Sequence, residues 1–427
     1  MLALLGILTI ALLLYLILTK KTSAVVALIL VPVLTGILAG KTAEFPQMIS
    51  EGISSIAPTG VMFVFAILFF GVLMDAGTFK PIIGKLLQLA GNDPLKIVMV
   101  TAILAMLVHL DGSGAVTFLV VIPAMLPIYD QLGMSRLTLA CTTALAAGTM
   151  NILPWGGPTI RAASALEVSV TELFNPVFIP FLAGLLTVLG IAYFLGKKER
   201  IHIQSEPSIE IESSDINEVK LPKWKFLVNI GLILLAVTSI VLGFAPPYAV
   251  FMIAFGLALI INFPKVADQK ERVDAHAKEA LLMASILFAA GCFTGILKGS
   301  GMMEAMANGI QVILPEFMGR QLPLLTGILS MPASLVFDPD SFYFGILPLL
   351  SSTAESFQVS GLEVGQAAIF GQMTTGFPVS PLTGSTYLLV GLAGVDLGDH
   401  QKKTIPLAFL VTMVMLTVAV LIGVIHI

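Results

Sequence analysis

Residues 69–77 read FFGVLMDAG, and residues 293–301 read FTGILKGSG, about 224 residues further on. Outward from this pair the correspondence continues. ILAM at Ile103–Met106 returns as ILSM at Ile328–Met331, and Pro154 and Thr159 have partners in Pro378 and Thr383. The opening apolar pair, Met1–Gly40, has a counterpart that starts near Trp224. Two weakly similar hydrophobic halves, interrupted by polar residues at matching places, are the pattern of secondary transporters built from inverted repeats. The expected fold is therefore an all-α membrane protein of two inverted repeats.

Composition sets the same bound. The chain is 57% hydrophobic and 11% charged, with a mean hydropathy of +0.99, whereas a soluble domain carries about 25% charge. The net charge of −4 is not gathered into a basic patch, so no nucleic-acid partner is expected. Cys141 and Cys292 both fall in apolar stretches and read as packing residues, without a disulfide or metal role. The N-terminal apolar run has no leading charge and no small-residue cleavage site, and it reads as a retained span. There is no HExxH, GxSxG or GxxxxGK[ST] motif. Neither an enzyme nor a bound cofactor is expected, and an ion gradient must supply the energy.

Spans long enough for a ~30 Å hydrocarbon core fall at about 1–19, 24–40, 56–76, 136–166, 173–195, 225–243, 246–262, 280–299, 362–394 and 404–426. Two apolar regions, about 95–129 and 321–353, carry HLDGSG (109–114) and DPDS (338–341) at their middles. Arms of ~15 residues with a polar apex predict re-entrant hairpins. The spans at 136–166 and 362–394 are interrupted by NILPWGGPT (151–159) and TGFPVSPLTGST (375–386). Proline removes a backbone donor and glycine loosens the helix, so both should be broken helices. Segments near 78–92 and 302–318 read as amphipathic and interfacial. The expected units are 1–196, a flexible cytoplasmic linker at 197–223, and 224–427.

Five spans and one hairpin per half force the second half to enter upside down. Charge gives an independent orientation. With the N-terminus outside, the inner loops collect Lys20, Lys21, Lys80, Lys85, Lys96, Arg136, Lys197, Lys198, Arg200, Lys220, Lys223 and Lys225, then Lys265, Lys270, Arg272, Lys278, Lys402 and Lys403. Only Lys41, Lys298 and Arg320 remain outside. That bias places a multi-pass protein in the inner membrane with both termini extracytoplasmic.

Polar breaks deep in a bilayer are tolerated where they line a cavity. Half-helix N-termini favour an anion, and freed carbonyls, hydroxyls and carboxylates favour a cation or proton. The candidate substrate-binding residues follow: Asp111, Ser113 and Thr117 at the first tip, with Asn151, Gly156, Gly157 and Thr159 at the first break. The second tip adds Asp338, Asp340 and Ser341, and the second break Ser380, Thr383, Ser385 and Thr386. Arg161 stands beside the first break with three roles open to it: holding a substrate carboxylate, neutralising Asp111, or reaching the surface. His109 reads as hairpin packing or a proton shuttle, Trp155 as packing or cavity wall, and Asp75 as the cytoplasmic end of its span.

At these residues the chain resembles a known family. MNILPWGGPTIRAASAL (150–166), FYFGILPLL (342–350), SPLTGSTYLLVGLAGVDLGDHQ (380–401) and FAILFFGVLMDAGTF (65–79) are similar to the citrate–divalent metal:proton symporters (CitMHS) of the ion transporter superfamily. The likeness runs nearly end to end. It implies a scaffold domain, a mobile transport domain holding hairpins and breaks, a homodimer in the lipid bilayer, and uptake of citrate complexed with Mg²⁺ or Ca²⁺ together with H⁺. Asp111, Asp338 and Asp340 then become candidates to touch the travelling metal or to carry protons. Where the family pattern at the first tip is closer to LDGDG, this chain has LDGSG. The runner-up reading is an H⁺- or Na⁺-coupled carrier of another organic acid, a dicarboxylate or a sugar acid.

Overall fold

The computed structural model describes residues 1–203 and 221–426, and among them every regular element is a helix. The first half contains α1 (Leu2–Leu18), α2 (Ala24–Leu38), α3 (Phe45–Asp75), α4 (Lys80–Ala90), α5 (Pro94–Val108), α6 (Gly114–Gln131), α7 (Arg136–Met150), α8 (Gly157–Leu166), the short α9 (Val170–Phe174) and α10 (Phe178–Ile203). The second contains α11 (Lys223–Val241), α12 (Pro247–Asn262), α13 (Val266–Gly299), α14 (Met302–Ile313), the short α15 (Glu316–Arg320), α16 (Leu322–Ala333), α17 (Leu347–Ser356), α18 (Gly361–Ala368), α19 (Gly384–Ala393) and α20 (Leu397–Leu421). Among the described residues, seven helical runs are long and apolar enough to cross a membrane by length and composition. This is a multi-pass membrane protein.

Two spans are longer than hydropathy indicates. α3 begins at Phe45 instead of 56, and α13 at Val266 instead of 280. The early turns of α13, VADQKERVDAHAKE, are polar but rich in strong helix formers, so that helix continues where the apolar signal stops; the opening of α3, FPQMISEGISS, is also partly polar and carries Pro46 in its first turn, where proline is tolerated. At 31 and 34 residues they measure about 46 and 51 Å at 1.5 Å per residue, well beyond a ~30 Å hydrocarbon core. α10 likewise runs through Ile203, so the stretch from 197 to 203 is helical and not linker; residues 204–220 lie outside the described residues.

α3 and α13 cross at the centre, where a Cβ on Gly52 would lie 2.0 Å from the Gly291 carbonyl oxygen. Only glycine permits that backbone approach, the small-residue packing that membrane helices use in place of a hydrophobic drive. α12 packs on α3, and α2 packs on α13. The second layer is built around α7, every residue of which is buried from Thr138 to Met150. Its run of Ala, Thr, Cys and Gly lets α5, α6, α10, α19 and α20 close in on all sides. α5 pairs with α6, and α16 with α17, as helical hairpins beside the broken helices α7/α8 and α18/α19.

Candidate functional site: a cavity between two hairpin tips and two helix breaks

The first tip closes through residues 109–113. Gly112 takes a left-handed conformation (φ 76°), and Ser113 caps α6 by accepting the Val116 N–H at 3.4 Å. The Asp111 carboxylate accepts the Ser113 N–H at 2.8 Å. His109 is buried, with Nδ1 2.8 Å from Thr117 Oγ1 and Nε2 3.5 Å from Asn151 Oδ1. His109 is thus a tie between the first tip and the first break. Trp155 fastens the same two segments by donating from Nε1 to the Leu110 carbonyl at 2.7 Å, and its ring packs against Phe70 and Phe251.

The first break spans residues 151–156. Gly156 is a turn residue, since an added Cβ would sit 2.0 Å from the Asn151 carbonyl oxygen. Thr159 donates to the Ile152 carbonyl across the break at 2.7 Å. Asn151 reaches the other half, donating from Nδ2 to the Met373 carbonyl at 2.8 Å.

At the second tip Asp338 is consumed by its own turn. Oδ1 accepts the Asp340 and Ser341 N–H groups at 3.0 Å each, and Oδ2 accepts the Ser341 hydroxyl at 2.5 Å. A π-type turn, Ser341–Ile346, leads from there into α17. The second break opens earlier than its prolines indicate. The helix path is lost at Gln372 (ψ 112°) and Met373 (φ 51°), ahead of the TGFPVSPLTGST run. Gln372 fastens tip to break: its side chain accepts from Ser334 at 2.8 Å, and its carbonyl accepts from Tyr343 at 2.6 Å. Ser380 donates to the Ser334 carbonyl at 2.5 Å, while Thr383 and Thr386 both donate to Phe377 at 3.0 Å.

Between these four segments lies a cavity of about 210 Å³. Of the residues singled out in the sequence, Ser113, Asn151, Gly157, Arg161, Thr383 and Ser385 line it. Thr117, Thr159, Ser341, Ser380 and Thr386 do not, and each of their hydroxyls holds a turn. α6, α8 and α19 all begin at the cavity wall, through Gly114–Ala115, Gly157–Pro158 and Thr383–Ser385. First-turn N–H groups have no intrahelical partner, so three such starts favour negative charge.

Arg161 supplies the full charge. Only 8% exposed, it donates from Nε to Asp340 Oδ1 at 2.7 Å, so it neutralises Asp340 and not Asp111, and it does not reach the surface. One terminal nitrogen donates to the Gly157 carbonyl at 3.3 Å, and the other has, among the described residues, only the Met283 sulfur, at 3.6 Å. Asp111 lines a smaller adjoining cavity of about 40 Å³ with His276 and Glu279. The three acids proposed to meet a metal are therefore separated. Asp338 caps a turn, Asp340 holds an arginine, and Asp111 faces another space. Among the described residues no three His, Cys, Asp or Glu side chains gather as a metal-binding group. Asp75 ends α3 as expected, with Oδ2 3.2 Å from an Arg272 terminal nitrogen and 3.1 Å from His276 Nε2.

The family model CitMHS, citrate transporter, matches residues 13–371. The chain belongs to the citrate transporter family. A Bacillus subtilis (strain 168) protein described as a citrate transporter is 43% identical over 430 residues, with 100% of both chains covered. A second from that organism, described as a Mg(2+)/citrate complex secondary transporter, is 41% identical over 439 residues, again over 100% of both. The family and these relatives are transporters, not enzymes. Among solved structures, the YdaH transporter of Alcanivorax borkumensis superposes with a TM-score of 0.62 at 14% identity, covering 90% of this chain and 89% of its own. Neisseria gonorrhoeae MtrF gives 0.57 at 14% identity, covering 89% and 84%. At that identity the two speak for the fold alone.

Sequence reading of this family member missed Glu279, Met283, Phe63, Pro339 and Phe377, which also line the cavity. Phe63 and Met283 look like any apolar residue of a span. Glu279 was legible in principle. It stands one residue before the apolar stretch at 280, where an acid on a continuing helix is a site candidate.

Proposed function

We propose that this chain is a secondary transporter that carries citrate complexed with a divalent metal ion, Mg²⁺ or Ca²⁺, in symport with protons. One observation carries the reading: a buried, incompletely satisfied arginine and three helix starts converge on a cavity between two tips and two breaks. Such a wall holds carboxylates, with Arg161 as the charged partner and Ser113, Asn151 and Ser385 supplying neutral hydrogen bonds. The Mg(2+)/citrate relative supports a metal-bound form of the cargo.

The transport cycle follows from the layering. Helix pairings recur between the halves: α3 with α12 and α13 with α2, α5 with α7 and α16 with α18, α6 with α7 and α17 with α18. This recurrence supports inverted repeats. α1–α3 with α11–α13 form a scaffold, and the hairpins, broken helices, α10 and α20 form the unit that carries substrate across it as an elevator. Both termini face outward, as the charge bias requires, and two copies assemble through their scaffolds in the bilayer.

Labelled citrate uptake into proteoliposomes under an inward proton gradient tests the reading, with Mg²⁺, Ca²⁺, Zn²⁺ or EDTA outside. Uptake that requires a divalent ion and collapses with a protonophore is the expected result. Uptake indifferent to EDTA would leave a carrier of free organic acids.

A further inference from the structure

Asp340 is the acid that the cavity's chemistry leaves without an evident task. It is 9% exposed and its backbone N–H serves the Asp338 turn, yet its carboxylate crosses to another half of the molecule to meet Arg161. A cavity built only to seize carboxylates would gain from an uncompensated guanidinium, because a counter-ion within hydrogen-bond distance cancels most of its field. The charged groups at and beside the cavity can be counted wall by wall, with Asp340 standing behind Arg161 and not on the cavity wall. α8 brings Arg161 and the second hairpin brings Asp340. α13 brings Glu279, and the first hairpin brings Asp111 from the adjoining space. The formal charges have no positive excess. What remains attractive to an anion is the partial charge of three helix starts, each equivalent to about half an elementary charge.

That balance sorts cargo by charge. Fully ionised citrate is a trianion, and with one divalent cation it is a monoanion. With Arg161 neutralised and Glu279 adding a negative charge to the wall, three partial charges tolerate a monoanion far better than a trianion, whose excess nothing on the wall offsets. We infer that Asp340 is a specificity-determining residue: by neutralising Arg161 it makes the cavity accept the metal complex and reject free citrate. It also positions the guanidinium. Held at Nε by Asp340 and at one terminal nitrogen by Gly157, Arg161 can only turn its remaining edge toward the cargo. This inference rests on the proposed metal–citrate cargo, and it deepens that reading by naming what enforces it.

The test is citrate uptake by Asp340→Asn in proteoliposomes, measured with Mg²⁺ and with EDTA. Asparagine keeps the shape and exposes the charge of Arg161. The ratio of EDTA uptake to Mg²⁺ uptake should rise about tenfold or more over wild type, a change of about 1.4 kcal/mol in relative preference. Asp340→Glu retains the charge and should retain the wild-type ratio. Asp338→Asn, at the same tip but bonded only within its turn, should leave the ratio unmoved. If Asp340→Asn carries neither form, equilibrium binding of citrate with and without Mg²⁺ to the purified, folded variant decides the matter. An unchanged preference in binding or transport overturns the inference. A wild type that takes up free citrate as readily as the complex would instead overturn the proposed cargo.

Discussion

The two hairpin tips occupy matching places in the two halves, and they are built on opposite principles. Each caps its own turn with an aspartate: Asp111 accepts the Ser113 N–H, and Asp338 accepts the N–H groups of Asp340 and Ser341. Each is tied to the break of its own half, the first through His109 and Trp155, the second through Gln372 and Tyr343. Beyond that they diverge. The second tip sends Asp340 across to Arg161 on α8, whereas among the described residues the first has no charged link to the other half's break. One tip is a neutral clamp, and the other is half of a buried ion pair. Two matching tips can therefore both carry acids while only one of those acids holds Arg161.

The largest effect should come from cutting the charged link at its centre. Arg161→Ala leaves Asp340 buried without its partner, at a cost of about 3–5 kcal/mol. Citrate uptake should fall by about 100-fold or more, with lower thermal stability in detergent, and near-normal uptake would remove Arg161 from the site. The neutral clamp ranks next. His109→Ala removes a buried ring that meets Thr117 and Asn151, costing about 1–3 kcal/mol. A fall in melting temperature should accompany it, and Mg²⁺ selectivity in the residual uptake should be unchanged. Altered selectivity would mean that the first tip also acts on charge. Tyr343→Phe removes one hydrogen bond between tip and break, worth about 0.5–1.5 kcal/mol, and should show a small stability loss without a change in substrate preference. Smallest are the caps themselves. Asp111→Asn and Asp338→Asn each keep an acceptor for the turn, and their melting temperatures should lie within about 1 kcal/mol equivalent of wild type. A collapse of uptake in Asp338→Asn alone would break the comparison, because it would give the second tip a second functional acid.

Much of the architecture was legible. The interruption at NILPWGGPT marks the observed gap between Met150 and Gly157, because proline and glycine act on the backbone locally, whatever surrounds them. The second break was less legible. Its prolines sit at Pro378 and Pro381, but the path departs from helix at Gln372 and Met373, neither of which is a breaker. Ser334 and Tyr343, from the neighbouring hairpin, bond to that stretch and hold it open. The helical start of α13 was missed for the converse reason: hydropathy measures contact with lipid, and a helix of Glu, Lys, Gln and Ala persists without it.

At the site, residue type indicated where chemistry concentrates but not who meets whom. Asp338 and Asp340 stand two positions apart in one polar run, and nothing in FDPDS separates a turn cap from an arginine's partner. The separation depends on α8 being brought against the second hairpin, a contact between residues 179 apart in the chain. Glu279 and Met283 enter the cavity for the same reason, on a helix that the sequence marks only as a span. Composition, spacing and breakers thus determined a membrane transporter with two tips and two breaks, because those signals act within one turn or one bilayer thickness. Only the tertiary structure decided which acid is spent on a turn and which on Arg161, because a charge's role is set by the partner within about 4 Å.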